Sequence, residues 1–300
     1  MKKISVLIAL CAVLFAGCKA RLQNTDGKIK IACSNAPEYD WLLTVTGITN
    51  NNIVPTMIVK NGSGPHDFKP SETDLALIKT YDLIILNGGK SDKWILEEIA
   101  KANNPKQRVL NFMELLELNP ETDDEHVWLS VKNAKIMVQA ICDEASLLLP
   151  AEKENFQTRT TKYLKRLETL HIEYKTWLSK YKDKTVIFCD RFPFHYLADD
   201  YELNCYSPFD GCTADSILTD EKETAVIEKI EELNAKALIV VDKAKERTAK
   251  SIIHKSINPM SDIFILDSME DASLNQIFNG KTYMKVMEEN LENLRNYFSK

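Results

Sequence analysis

The fold is decided by residues 150–182, PAEKENFQTRTTKYLKRLETLHIEYKTWLSKYK. No glycine or proline follows Pro150 in this stretch, and large apolar side chains recur three, four and seven residues apart from Phe156 to Tyr181, with charged residues between them. This spacing places the apolar side chains on one face of a single α-helix of roughly 30 residues, which is long for a globular protein. We expect this helix to act as a stiff connection between two halves of the chain.

Short strand patterns alternate with helix patterns on both sides of the long helix. We predict strands at residues 28–33, 53–59, 82–86 and 108–111 before it, and at 185–189, 237–241 and 263–266 after it. Alternation of this kind is typical of parallel sheets with crossover helices.

The predicted fold is therefore α/β, with two Rossmann-like lobes whose parallel sheets are joined by one long rigid α-helix. We place the N-terminal lobe at 28–149, the connecting helix at 150–182 and the C-terminal lobe at 183–300. Because ligands of open α/β sheets bind beyond the carboxyl ends of the strands, we expect a binding site in the cleft between the lobes.

The N-terminus carries the features of a secretory signal. Lys2 and Lys3 precede an apolar run at 4–15, which is shorter than the roughly 20 residues that span a bilayer. The run ends in LFAGC, which resembles a bacterial lipobox whose cysteine, Cys18, is lipidated. We predict a lipoprotein signal peptide at 1–18, a linker at 19–27 and an extracytoplasmic protein anchored to the bacterial membrane, in the periplasm or at the cell surface. The alternative is an ordinary cleaved signal with an incidental cysteine.

Charge and cysteine content narrow the possible functions. The net charge of −6 argues against nucleic-acid binding, which requires a clustered basic face. Of the seven cysteines, Cys11 leaves with the signal and five lie beyond Cys18, so at least one thiol stays unpaired. Cys205 and Cys212 are the first pair to consider for a disulfide, although spacing alone cannot establish it. A Cys-x-x-Cys motif is absent from the sequence, so a zinc site built of thiolates is not expected.

Two histidines stand in settings suited to a metal ligand. His66 lies in GSGPHDFKP (residues 62–70), a turn of glycines and prolines after a predicted strand, and a rigid backbone reduces the entropy lost on coordination. His126 lies in DDEHVWL (residues 123–129), where we expect it to enter the first turn of a helix behind three acids. Acids near the N-terminus of a helix are expected because they interact favourably with its dipole, but the dipole gives no reason for a histidine there.

Taken together, these motifs resemble the zinc and manganese solute-binding lipoproteins of ABC transporters. The likeness covers essentially the whole mature chain and includes FHY at 194–196 and DS at 267–268. The resemblance implies two α/β lobes with a metal ion buried between them, and it implies that His66 and His126 are ligands.

The third ligand is less clear. The resemblance implies a histidine or glutamate three residues before FHY, but that position holds Arg191, which cannot coordinate a metal. Asp190 could serve by a shift of one residue, and His195 could reach back from the same helical face. In a third alternative neither binds, and Arg191 anchors a carboxylate beside the ligands. Cys189 and Cys212 are further alternatives as ligands, although the preferred interpretation of each is a small buried residue.

The fourth ligand is predicted to be Asp267, which matches the aspartate that the family carries at the end of its last strand. Asp242 also ends a predicted strand, and we expect it to support the ligands by hydrogen bonding. Two imidazoles with one or two carboxylates favour Zn²⁺, and a site richer in carboxylates would admit Mn²⁺.

The predicted function is capture of a transition-metal ion, Zn²⁺ above all, by a monomer that passes it to the permease of an ABC importer. We expect no enzymatic activity, because the sequence lacks a His-Glu-x-x-His helix, a nucleophile elbow and a phosphate loop. The alternatives are a lipid-anchored metallo-hydrolase and a metal-free adhesin or structural lipoprotein on the same fold.

Overall fold

The computed structural model describes residues 27–60, 63–209, 211–212, 217–241, 246–258 and 262–300. The predicted signal peptide with Cys18, and the predicted supporting residue Asp242, lie outside these ranges. Within them, every helix is too short or too polar to cross a membrane.

A four-stranded parallel sheet organises the residues before the long helix, with the strand order β2-β1-β3-β4. Both middle strands are strongly buried, as expected for a parallel sheet covered by helices on its two faces. The carboxyl ends of the strands share one edge of the sheet. The elements are β1 (Ile29–Cys33), α1 (Ala36–Thr46), β2 (Ile53–Met57), α2 (Glu72–Ile78), β3 (Leu83–Leu86), α3 (Lys93–Ala102), β4 (Arg108–Asn111) and α4 (Phe112–Leu115).

The predicted long helix is confirmed. After α5 (Val131–Leu148), helix α6 spans Lys153–Leu178 and is extended at its ends by 3-10 turns at Pro150–Glu152 and Ser179–Tyr181. Its buried side chains follow the predicted apolar face, because they recur at helical spacing and pack against α1 and α5. They are Phe156, Thr160, Tyr163, Leu167, Leu170, Tyr174 and Leu178.

Parallel pairing also organises the second half of the chain. Strand β5 pairs with β6 and β7 pairs with β8, while a bridge between Phe188 and Ile239 connects the two pairs. The elements are β5 (Thr185–Ile187), α7 (His195–Tyr201), β6 (Asn204–Tyr206), α8 (Asp220–Glu232), β7 (Ala237–Val240), α9 (Glu246–Lys255), β8 (Asp262–Ile265), α10 (Leu274–Phe278) and α11 (Tyr283–Phe298). The α/β class with parallel sheets on both sides of a long helix is therefore confirmed.

The two halves share one buried apolar core that runs from Ile31 to Tyr297. Hydrogen bonds within this core join the second half of the chain to the first half and to the long helix. The Tyr283 hydroxyl donates to the carbonyl of Trp128 at 2.6 Å, and the Tyr174 hydroxyl on α6 donates to the carbonyl of Met287 at 2.6 Å. Burial of polar groups requires such partners, and these bonds join α11 to the 3-10 turn after His126 and to α6.

The backbone around His126 differs from the prediction. His126 does not enter an α-helix but precedes a 3-10 turn at Val127–Leu129. Helix α5 begins after Ser130, whose side chain accepts a hydrogen bond from the backbone N–H of Asn133 and so caps it. The acids before His126 therefore do not lie in the first turn of α5, where they would interact favourably with its helix dipole.

Candidate metal centre

Four side chains from four separate segments converge on one point. His66, His126, Cys212 and Glu270 each offer one ligand atom, and these atoms all lie within 4.8 Å of one another. His66 follows β2, His126 precedes the 3-10 turn, Cys212 follows β6 and Glu270 follows β8. His126 and Glu270 are each only 2% exposed, so the point of convergence is buried between the two sheets.

The distances within this cluster suit a small tetrahedral cation. The Nε2 atoms of His66 and His126 are 3.2 Å apart, and Glu270 Oε1 lies 2.8 Å and 3.4 Å from them, respectively. The Sγ atom of Cys212 is 3.9 Å from Glu270 Oε2. Zinc–nitrogen and zinc–sulfur bond lengths require neighbouring tetrahedral ligands to be about 3.3–3.6 Å apart. Small side-chain adjustments would therefore give four ligands to one ion.

Acidic side chains orient both imidazole rings. Nδ1 of His66 lies 3.0 Å from Glu125 Oε1, and Nδ1 of His126 lies 2.6 Å from Asp124 Oδ1. A carboxylate accepts from Nδ1–H, which leaves Nε2 of each ring for the centre of the cluster. Ser91 holds Glu125 in turn, since its backbone N–H and hydroxyl donate to the two carboxylate oxygens at 3.0 and 2.8 Å.

The protonation equilibria of the four residues are strongly coupled. Burial alone lowers the pKa of His66, but its hydrogen bonds with Cys212, Glu125 and Glu270 outweigh burial and raise the pKa to about 11. Burial likewise lowers the pKa of His126, whereas hydrogen bonds with Asp124, Cys212 and Glu270 raise it well above its usual value. A cation that binds here would therefore compete with protons for the rings.

The pKa values of the two acidic residues of the cluster, Glu270 and Cys212, shift in the opposite direction. Burial raises the pKa of Glu270, but hydrogen bonds from His126 and His66 outweigh it and hold the pKa well below the usual value. The same two rings outweigh burial at Cys212 and lower the pKa of its thiol. The cluster thus holds a carboxylate and a thiol whose pKa is lowered, and carboxylate and thiolate are anionic donors that zinc accepts.

Arg191 lies beside these two donors. Its Nη1 atom is 3.0 Å from Glu270 Oε2 and 3.2 Å from Cys212 Sγ. The side chain is largely buried, with 15% of it exposed. This contact is of the kind that the third sequence alternative described, in which Arg191 anchors a carboxylate.

An open cleft of about 690 Å³ leads to the cluster. Its walls include Asp123, Asp124, Glu125 and His195, with Lys90 as a basic residue among them. A wall of mostly acidic charge attracts cations over the distance of the cleft.

Comparison with known proteins identifies the family of this chain. The sequence model of the ZnuA family, described as the zinc-uptake complex component A, periplasmic, matches residues 31–297. The chain belongs to the ZnuA family.

Lipoproteins of Streptococcus and Bacillus are among the proteins similar to this chain. The zinc-binding lipoprotein AdcA of Streptococcus pneumoniae (strain ATCC BAA-255 / R6) is 26% identical, over 98% of this chain and 61% of AdcA. The chain thus spans about three-fifths of the length of that relative. The crystal structure of the Zn(II)-bound ZnuA-like domain of Streptococcus pneumoniae AdcA gives a TM-score of 0.77 at 23% identity, covering 91% of this chain and 100% of that domain. The metal-dependent lipoprotein YcdH of Bacillus subtilis gives 0.77 at 21% identity, covering 90% and 99%. At these identities the solved structures establish a common fold.

The cluster of this ZnuA-family chain differs from the predicted ligand set at its fourth position. The prediction of Asp267 is not matched, because its carboxylate accepts from the backbone N–H of Met269 at 2.7 Å and pairs with Lys281 at 2.6 Å. Met269 adopts a left-handed conformation with φ of 62°, which is uncommon for a residue with a side chain. The chain turns there, and Glu270 rather than Asp267 enters the cluster.

Both candidates for the third ligand also lie outside the cluster. The carboxylate of Asp190 accepts from the backbone N–H of Arg191 at 2.8 Å. His195 packs edge-on against Phe192, with ring centroids 4.6 Å apart, and its Nε2 faces Asp124 Oδ2 at 3.8 Å. The side chain of His195 is 40% exposed at the cleft wall. The structure brings Cys212 to the cluster instead.

The sequence contains weak signals for Glu270, which the prediction missed, and for Cys212, which it gave only as a remote alternative. Glu270 stands three residues beyond the strand-end Asp267, where a tight turn can point either acid inward. Cys212 belongs to an odd set of cysteines in an exported chain, which leaves one thiol available for another role. The suggested pairing of Cys205 with Cys212 is not found, since all five described cysteines are free thiols.

Proposed function

We propose that this chain is an extracytoplasmic solute-binding lipoprotein that captures Zn²⁺ as cargo and passes it to an ABC importer. The observation that carries the proposal is the convergence of His66, His126, Cys212 and Glu270 within 4.8 Å. Membership of the ZnuA family supports it, as do the names of relatives that bind zinc. A lipid anchor at Cys18, a monomeric state and a cognate permease belong to the same proposal.

Capture follows from the chemistry of the four donors. The incoming ion displaces protons from Nε2 of both imidazoles, while Asp124 and Glu125 keep the rings turned toward it. The carboxylate of Glu270 and the thiolate of Cys212 together neutralise the two positive charges of the ion. Two ligands come from each half of the chain, so the bound ion also links the two sheets.

The hydrolase alternative is disfavoured by the number of donors. A catalytic zinc site keeps one of its positions open for water, with three protein ligands. Here four protein donors surround one point, which is the arrangement of a closed site. A metal-free adhesin is disfavoured as well, because a buried cluster of ionisable groups without a ligand costs stability.

Zinc titration of selected variants tests the proposal. We expect the protein, purified without chelator, to bind stoichiometric zinc by elemental analysis and by competition with a chromophoric chelator. His66→Ala and His126→Ala should each lose tight binding, whereas His254→Ala, which removes an exposed imidazole from α9, should bind like the wild type. A wild-type protein that binds no zinc, or histidine variants that bind normally, would contradict the proposal.

A further inference from the structure

Arg191 contacts Cys212, one of the four residues of the cluster. Resting on the proposed function, we infer that Cys212 coordinates the metal as a thiolate positioned by Arg191. We further infer that this donor makes the site select thiophilic divalent cations, such as Zn²⁺ and Cd²⁺, over Mn²⁺.

The location of the thiol supports direct coordination. Cys212 lines the cleft, and its Sγ lies 3.9 and 4.0 Å from the two oxygens of Glu270. The other four cysteines that the structure describes are not members of the cluster. The turn that carries Cys212 is held by a backbone hydrogen bond of 3.2 Å from Phe192 N–H to the carbonyl of Gly211. The thiol is thus placed by the backbone segment that also carries Arg191.

Arg191 supplies a fixed positive charge to the two anionic donors. One nitrogen, Nη1, lies 3.2 Å from Cys212 Sγ and 3.0 Å from Glu270 Oε2. A guanidinium has no acceptor and stays protonated, so it donates to both atoms and cannot compete with them as a ligand. The thiolate is the form of cysteine that binds metals. Arg191 is therefore a positioning residue that keeps both anions on the same side of the cluster.

A thiolate changes which metals the site prefers. Thiolate ligands favour zinc and other soft cations, whereas Mn²⁺ favours carboxylate, carbonyl and water oxygens in octahedral geometry. With two imidazole nitrogens, one sulfur and one carboxylate oxygen, the cluster offers four donors within 4.8 Å of one another. We expect zinc affinity to exceed manganese affinity by a wider margin than in a site with oxygen in place of sulfur.

Cobalt substitution tests the sulfur ligand directly. Co²⁺ bound to a thiolate has an intense near-ultraviolet charge-transfer band, which a site of nitrogen and oxygen ligands lacks. We expect the band in the Co²⁺-loaded wild type and in Cys205→Ser, a control for a partly buried thiol of the same half. We expect its loss in Cys212→Ser, which should still bind Co²⁺ through the other three donors. The same variant should narrow the preference for zinc over manganese by at least about tenfold.

Variants that remove or keep the positive charge test the role of Arg191. Arg191→Gln should require at least about tenfold more Co²⁺ for the same charge-transfer intensity, and Arg191→Lys should recover part of the loss. Thermal unfolding without added metal separates this effect from misfolding, because a structural role would lower the melting temperature of the Gln and Lys variants alike.

The outcomes distinguish this inference from the proposed function. A wild type that binds zinc tightly but shows no charge-transfer band overturns the inference and leaves zinc capture intact. Retention of the band in Cys212→Ser, or tighter metal binding in Arg191→Gln, overturns it as well. Absence of zinc binding in the wild type overturns the proposed function itself.

Discussion

The indole N–H of Trp128 donates to the backbone carbonyl of Ser268 at 2.8 Å. Trp128 lies two residues after His126, and Ser268 lies two residues before Glu270. One buried hydrogen bond thus joins the two segments that carry a candidate ligand from each half of the chain, and we expect it to contribute to both stability and metal affinity.

Replacing this indole tests the connection. Trp128→Phe removes the N–H donor and leaves the carbonyl of Ser268 buried without it, so we expect a loss of about 1–3 kcal/mol in the free energy of unfolding. Zinc affinity should fall too, because His126 and Glu270 are then less firmly placed. Denaturant unfolding and zinc titration measure the two effects. Trp177→Phe, where the ring stacks on Tyr181, is the control and should leave zinc affinity unchanged. Normal affinity in Trp128→Phe would show that the segments are placed by other contacts.

A second prediction separates Glu270 from its acidic neighbours. Glu270→Gln keeps the shape of the side chain but removes the charge, and zinc affinity should fall at least about tenfold. Asp271→Asn, at an exposed position next to it, should have little effect. Asp267→Asn should also have little effect on zinc binding, since that carboxylate is engaged by Lys281 and Met269. A larger loss in Asp267→Asn than in Glu270→Gln would restore the ligand that the sequence suggested.

A third prediction concerns the acids that orient the rings. Asp124→Asn and Glu125→Gln remove the carboxylates that accept from Nδ1 of His126 and His66, and each should weaken zinc binding about 10–100-fold. Asp123→Asn, an exposed acid in the same run, is the matched control. Competition with a chelator gives the affinities. Equal affinities in all three variants would mean that the acids act only through the overall charge of the cleft.

A fourth prediction uses a buried carboxyl away from the cluster. Asp40 on α1 accepts from the backbone N–H of Tyr283 at 2.9 Å, and burial raises its pKa to about 6 despite that bond. The folded state then binds a proton that the unfolded state has already released. The stabilising contribution is therefore fully present below about pH 4 and is lost as the pH rises through about 6.

Asp40→Asn should remove this dependence. The amide stays neutral, so the variant should be more stable than the wild type at pH 7, by up to about 3 kcal/mol, and the difference should vanish near pH 4. Urea unfolding across this pH range is the measurement, with Asp67→Asn at an exposed position as the control. A constant difference between variant and wild type at all pH values would exclude titration of Asp40 as the cause.

The helices and strands with a regular pattern of apolar residues could be predicted from the sequence. The apolar spacing from Phe156 to Tyr181 sufficed for α6, because helix geometry alone turns such spacing into one buried face. Apolar runs were likewise sufficient for β3 and β7. Strand β6 was not predicted, since its three residues are too few for a period.

The candidate site was only partly predictable, for a physical reason. His66 and His126 stand in distinctive motifs, and the structure brings their Nε2 atoms to 3.2 Å. Glu270 reaches the cluster through the left-handed backbone of Met269, a conformation that the residue type does not indicate. Cys212 depends on the approach of two loops distant in sequence, through the bond from Phe192 to Gly211. Such tertiary contacts do not produce a periodic pattern in the sequence.

The apolar core that continues from one half of the chain into the other also affects how a bound zinc ion would leave. A clamshell motion of the two sheets would expose this core to water, at a cost of about 25 cal/mol for each Å² of apolar surface. Local opening of a short turn that carries a candidate ligand would expose far less apolar surface. We therefore expect the dissociation rate of zinc to follow the local opening of the turns around Cys212 and Glu270, and an importer to accelerate unloading by engaging those turns.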